Sequence, residues 1–258
     1  MHVARGLDHL PRSDEPVFVV VGVFDGLHLG HAYLLDHLVA EAARRSARPV
    51  VITFDHHPDE IITGSAPPLL CDPDERLERL AAAGVDTTVV VHFDQRLRET
   101  THEAFVAMIA ARAPLAGLLM TPDAAFGYRR EGTPTTLAVL GARQGFEVIV
   151  VPPFELDGRP VRSTEVRAAI ASGDLARAAQ LLGRAHCVAG MAVARSAGQG
   201  SLLRFPLPVA LPPDGTYRVE VGPVHAGATD EAVIDAGSVR LVGTPPAPWV
   251  RVAFDGDA

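Results

Sequence analysis

The chain has 258 residues, 48% hydrophobic and 21% charged, a composition that folds into one large or two modest globular domains rather than remaining disordered. Its net charge of −8 argues against general nucleic-acid binding, which needs a basic face, and the complete lack of lysine excludes a lysine-bearing P-loop. Two cysteines, Cys71 and Cys187, make neither a disulfide framework nor a zinc cluster, and with no signal-peptide pattern and no apolar run of the ~20 residues that span a bilayer, a cytoplasmic protein without a membrane partner is expected.

Residues 17–23, VFVVVGV, are a continuous apolar run too short for a helix, the pattern of a strand buried on both faces. Leu34, Leu35, Leu38 and Ala42 then recur at helical spacing over 30–45. A second buried strand is predicted at 49–54, a helix at 73–84, a third strand at 86–93 and a helix at 102–112. A fourth strand at 116–121, a helix at 135–145 and a fifth strand at 146–152 continue the alternation. Strand and helix taking turns with short joints predict an α/β fold, a doubly wound parallel sheet with helices on both faces. Two shorter helices follow at 163–173 and 174–183, the second opened by Asp174 as N-cap. Beyond Gly183 the texture changes: Pro and Gly abound, and short runs such as GTYRVEV and WVRVAF alternate in β fashion. The expected organisation is an α/β domain over 1–185 and a small antiparallel β-barrel-like domain over 186–258.

The first strand-to-helix junction reads GVFDGLHLGH, residues 22–31. In a parallel sheet, ligands bind beyond the carboxyl ends of the strands, and a helix N-terminus offers unpaired N–H groups to an anion. Glycines at 22, 26 and 30 let the backbone approach a ligand, and His28 and His31 can direct imidazoles at one phosphate chain. Without lysine, histidines and arginines must supply the side-chain cationic contacts to phosphate. Two other readings of the junction stand beside this one. His28 and His31 can be incidental polar residues of a helix cap, or zinc ligands with further donors from His56 and His57; no metal ligands are assigned. Asp55 and Asp94 read as solvent-facing loop acids.

GVFDGLHLGH resembles the G-x-F-D-G-x-H-x-G-H signature of the bacterial FAD synthetases, the adenylyltransferase half of bifunctional riboflavin kinase/FMN adenylyltransferases, within the H-x-G-H nucleotidyltransferases. VITFDHHP (51–58), PDAAFGYRREGT (122–133) and RSTEVRAAIASGDLARAAQLLGR (162–184) resemble further family segments in the family's order. The resemblance implies a Rossmann-like domain that makes FAD and pyrophosphate from FMN and ATP with Mg2+. It places His28 and His31 on the α- and β-phosphates, and Ser163, Thr164 and Arg167 on the β/γ-phosphates, where an ordinary N-cap box is the plainer alternative. Gly22, Phe24, Asp25, Gly26 and Gly30 belong to the nucleotide loop, Asp25 either holding nucleotide or capping the loop. On the flavin side it points to Phe54, His57, Pro58, Asp123, Phe126, Gly127 and Arg130; Phe54 can equally be core, and Arg130 a solvated charge.

Three departures from the family pattern stand out. Arg162 replaces the first serine of S-S-T-x-x-R, and Ala124 and Thr121 replace a phenylalanine and a glycine on the acceptor side. In RFPLPV (204–209), Leu207 and Val209 stand where the family's kinase motif G-F-P-T-x-N carries Thr and Asn. An apolar pair binds neither hydrated cation nor phosphate, so the barrel is expected to lack riboflavin kinase activity. The alternatives are nucleotidyl transfer to another phosphorylated acceptor, and a flavin- or nucleotide-binding regulator without catalysis.

Overall fold

A computed structural model describes residues 1–194, 200–223 and 227–256. The elements in chain order are β1 (His2–Arg5), β2 (Val17–Val21), α1 (Leu29–Arg44), β3 (Arg48–Phe54), α2 (Pro58–Thr63), α3 (Pro73–Ala82) and β4 (Thr87–Val91). There follow α4 (Gln95–Arg98), α5 (His102–Ala110), β5 (Leu115–Met120), α6 (Pro134–Gln144), β6 (Glu147–Val150), β7 (Glu155–Leu156) and β8 (Arg159–Pro160). The last are α7 (Ser163–Ala171), α8 (Leu175–Leu182), β9 (Cys187–Ala194), β10 (Ser201–Arg204), β11 (Gly215–Gly222), β12 (Ala228–Asp235), β13 (Ser238–Leu241) and β14 (Trp249–Phe254).

The sheet has six parallel strands in the order β1-β4-β3-β2-β5-β6. The five strands read from the sequence are all present, and β1 adds a sixth at the edge, pairing His2 with Thr87. Strand β2 is central, and all but its last residue are buried. Its alternate residues Val17 and Val19 join a core with Val50 and Ile52 of β3 and with Phe105, Val106 and Ile109 of α5. Phe18 faces the other way, and the Arg45 guanidinium just past α1 lies over its ring at 5.1 Å. Strand order reverses at β2, with β3 on one side and β5 on the other, so the loop leaving β2 is the topological switch point.

The second assembly is a closed antiparallel barrel in the order β10-β13-β12-β11-β14-β9. Val219, Val221, Ile234, Val239, Leu241, Val250, Val252 and Phe254 fill it. The GTYRVEV and WVRVAF runs read from the sequence are its strands β11 and β14. Asp174 caps α8 as expected, accepting from the Arg177 N–H at 2.9 Å.

Packing divides the chain into two compact units. One comprises residues 1–24, 30–67 and 77–154; the other comprises 25–29, 68–76 and 155–258. The second therefore gathers a short piece of the β2–α1 loop and the stretch before α3 with α7, α8 and the barrel.

Candidate active site

The loop leaving β2 is wound tightly. Phe24, Gly26 and Leu27 have φ of 53°, 77° and 41°. Left-handed backbone at two buried non-glycine residues is strained and persists only where surrounding packing enforces it. At Gly26 a side chain is excluded on a second count, since a Cβ there would lie 2.8 Å from that of Leu70. The loop ends at Gly30 in the first turn of α1, and the His31 ring packs against Phe24 at 5.1 Å.

Asp25 is 4% exposed. Its carboxylate accepts from the Leu70 N–H at 3.0 Å and pairs with the Arg167 guanidinium. Arg167 also donates from Nε to the Pro68 carbonyl at 2.8 Å, and the Ser163 hydroxyl donates to the Asp25 carbonyl at 3.3 Å. Burial pushes the Asp25 carboxyl above its ordinary value, with Arg167 and the Leu70 N–H working against that rise. Of the two roles read for Asp25, the geometry displays the loop clamp. Arg167, read as a phosphate ligand, holds that clamp.

Helix α7 starts without the plainer N-cap box: Arg162 sits at the cap and makes no side-chain hydrogen bond to the first turn. Ser163 is half-buried and Thr164 exposed at that helix start. His28 is buried, and desolvation, reinforced by Arg184 and Arg167, lowers its pKa to about 4. Neutral pH thus finds it an uncharged imidazole, which corrects the expectation that this histidine brings a positive charge to phosphate. It offers one N–H, while the charges beside it are arginines.

Within the sheet unit, a cavity of about 760 Å3 opens beyond the ends of β2, β3 and β5. Its size suits a cofactor-sized ligand. Gly22, Phe54, His57, Pro58, Phe126, Gly127 and Arg130 line it, seven of the residues singled out in the sequence. Phe54 lies in the sheet core and on the cavity wall at once, meeting Phe93 edge-on at 5.4 Å. Phe105 and Phe126 form a second aromatic contact at 5.2 Å. The His57 Nδ1 accepts from the Asp59 N–H at 3.2 Å and so caps α2, whose first residue is Pro58.

Gly127 has φ +78°, and a Cβ on it would lie 2.6 Å from the His102 backbone nitrogen. Arg98, Arg129 and Arg130 are also lining residues; the Arg129 guanidinium lies over the Tyr128 ring at 5.1 Å, and Arg98 donates to the Gln95 side-chain oxygen at 3.3 Å. Asp123 stands off the wall: its carbonyl accepts from Arg130 at 3.2 Å and its carboxylate from the Thr121 hydroxyl at 2.8 Å. Thr121 and Ala124, the two acceptor-side departures, both face the cavity.

Sequence reasoning missed Phe93, Arg98 and Phe105 as wall residues; helical and strand periodicity mark the two phenylalanines only as core. It also set aside two acids that have partners. Asp94 caps α4 by accepting from the Leu97 N–H at 2.8 Å, and Asp55 accepts from His92 Nδ1 at 2.7 Å and lies 3.1 Å from His56 Nδ1. Those hydrogen bonds hold the Asp55 carboxyl below its ordinary value against partial burial, and Asp55 in turn raises His92.

The family model described as FAD synthetase matches residues 10–165. The bifunctional riboflavin kinase/FMN adenylyltransferase of Escherichia coli K12 is 33% identical over 230 residues, covering 86% of this chain and 73% of the relative. The protein of the same description from Pseudomonas fluorescens is 33% identical over 191 residues, covering 74% and 61%. A solved structure from Streptococcus pneumoniae described as a macrolide-efflux protein superposes with a TM-score of 0.81 at 24% identity, covering 98% of this chain and 88% of that one, a likeness of fold. No helix among the described residues is long and apolar enough to cross a membrane.

Proposed function

Since the chain belongs to the FAD synthetase family of nucleotidyltransferases, we propose that it makes FAD and pyrophosphate from FMN and ATP, the ATP arriving as its Mg2+ complex. A phosphate oxygen of FMN attacks the α-phosphorus in line, the new P–O bond forms, and the bond to the β-phosphate oxygen breaks as pyrophosphate leaves. Such transfer asks the protein chiefly to align two anions and to stabilise the charge that builds on the leaving group.

The observation that carries this reading is the cavity at the switch point, aromatic-walled by Phe54, Phe93, Phe105 and Phe126 and bordered by Arg98, Arg129 and Arg130. A flat apolar ring system suits the walls and a phosphate the guanidinium groups. Arg130 is the residue assigned to the FMN phosphate. On the donor side, His28 and His31 donate imidazole N–H groups to the α- and β-phosphates. Ser163, Thr164 and the first-turn N–H groups of α7 receive the outer phosphates. Arg167 holds Asp25 and the loop in shape, and its positive charge also favours the triphosphate.

The barrel is assigned no riboflavin kinase chemistry. Val209 packs with the barrel core and its stretch bridges to Leu69, with the Leu69 N–H donating to the Pro208 carbonyl at 2.9 Å. A side chain so used presents no polar group to a nucleotide.

Purified protein given MgATP and FMN is expected to yield FAD and pyrophosphate in equal amounts, and given MgATP and riboflavin to yield no FMN. Because Thr121 and Ala124 face the cavity, a second phosphorylated acceptor is the reading to adopt if pyrophosphate appears only with a compound other than FMN. His31→Ala is expected to lower kcat by roughly 100-fold while leaving the FMN dissociation constant near that of the parent. A loss confined to FMN affinity contradicts the role given to His31.

A further inference from the structure

The carboxyl ends of β3 and β4 carry a second chemical cluster, separate from the phosphate and flavin residues. Parallel pairing sets Phe54 beside Val91, so the next residues, Asp55 and His92, emerge side by side from adjacent strands. The turn after β3 adds His56, whose ring meets that of His92 edge-on at 5.7 Å. One carboxylate oxygen and one ring nitrogen from each histidine lie within 4.8 Å of one another. Both imidazoles present Nδ1 to the same carboxylate, at 3.1 Å for His56 and 2.7 Å for His92.

That carboxylate is already oriented by the backbone. Its Oδ1 accepts from the His56 N–H at 2.8 Å and from the Phe93 N–H at 3.3 Å. A ligand fixed by outer hydrogen bonds loses little freedom on binding an ion. The side chains of His92 and His56 are 66% and 43% exposed, which leaves the group open to solvent.

We propose that Asp55, His56 and His92 form a surface site for a divalent transition-metal ion, with water completing its coordination. Two imidazole nitrogens and one carboxylate oxygen are a donor set suited to Zn2+, Co2+ or Ni2+ and poorly suited to Mg2+, which prefers oxygen alone. Coordination through Nδ1 leaves each ring proton on Nε2, and small side-chain rotations bring the three donors to metal-ligand distances of about 2.0–2.2 Å. The ion would tie β3 to β4 at the positions flanking Phe54 and Phe93, two aromatic walls of the cavity. The site is thus independent of the transfer reaction, but it braces the pocket in which that reaction is placed.

The test uses the full chain, stripped with chelator and titrated with Co2+ or Zn2+ in the presence of excess Mg2+. One equivalent is expected to bind by calorimetry, with Co2+ giving a visible d–d band. His92→Ala and His56→Ala are each expected to weaken binding by about tenfold or more. Asp55→Asn is expected to do the same, and circular dichroism melts confirm that each variant is folded. The proposal fails if no saturable binding occurs, if Mg2+ displaces the ion, or if the folded histidine variants bind as tightly as the parent. FAD synthesis is not the readout, so loss of this proposal leaves the catalytic reading standing, and the reverse.

Discussion

At the level of single residues, the site depends on burial that the motif letters do not reveal. His28 is visible in the sequence as a polar residue of the strand-to-helix loop, but its neutrality comes first from burial and then from Arg184 and Arg167, which lie far along the chain. Asp25 has the same history: its acid type and its glycine neighbours are visible, its partners are not. His186 is a second buried histidine, held near a pKa of about 4, with its ring Nε2 2.8 Å from the Ala210 carbonyl. Both groups titrate near 6.5 when unfolded and near 4 when folded. Between those values the unfolded chain takes up protons that the folded chain refuses. Stability therefore rises with pH through this window, is full above about 6.5, and falls as pH drops toward 4. Each histidine is expected to cost about 2 kcal/mol at pH 5 relative to neutral pH. Urea denaturation at both pH values checks this: His186→Gln should narrow the difference by about that amount, and an unchanged difference contradicts it.

Among the elements, long apolar strands and well-spaced helices were legible because their periodicity reflects burial. The ones that escaped are short or mixed. The edge strand β1 has only four residues and a single buried one, so no alternation declares it. Strand β12 runs ATDEAVID, half of it acidic or polar, and is a strand because β11 and β13 flank it. The β7–β8 hairpin turns on Asp157 and Gly158 at φ 56° and 72°, an Asp-Gly signal that was available in the sequence. Gly127 shows how one turn position controls a pocket wall, lying between Phe126 and the three-residue helical turn that begins at Tyr128. Gly127→Ala adds a Cβ where the His102 backbone stands and demands an unfavourable φ. We expect it to destabilise the fold by about 1–3 kcal/mol and to weaken FMN binding at least as much as it lowers kcat. Flavin fluorescence quenching and thermal melts measure the two effects. Parent-like FMN affinity in the variant contradicts this account of the turn.

For the whole molecule, the barrel's part lies in how the second unit is assembled. The Leu69 backbone is bridged to Pro208 and Ala210, and the Asp72 carboxylate faces the Arg251 guanidinium at 3.6 Å. Glu75, 2% exposed, pairs with Arg184 at 3.1 Å. The same short stretch supplies the Leu70 N–H and the Pro68 carbonyl that fix Asp25 and Arg167. A fragment of residues 1–185 loses the first two supports. It is expected to melt at lower temperature than the full chain and to lose FAD synthesis, though every proposed transfer residue is present. Differential scanning calorimetry and the FAD assay decide the point; a fragment with parent-like melting and turnover overturns it. The change of texture after Gly183 suggests a cut at 185, whereas packing across 25–29, 68–76 and 155–258 is invisible to any local pattern.

The interleaving also sets a timetable for synthesis. Asp25 and Arg167 are separated by 142 residues, which a ribosome takes on the order of ten seconds to add. Until then a carboxylate destined for burial lacks the guanidinium that pairs with it directly, and burying it without that partner would be costly. The loop that opens the signature motif therefore stays solvated while the sheet behind it forms. A nascent chain cannot present a finished nucleotide site until the α7 segment that carries Arg167 has emerged.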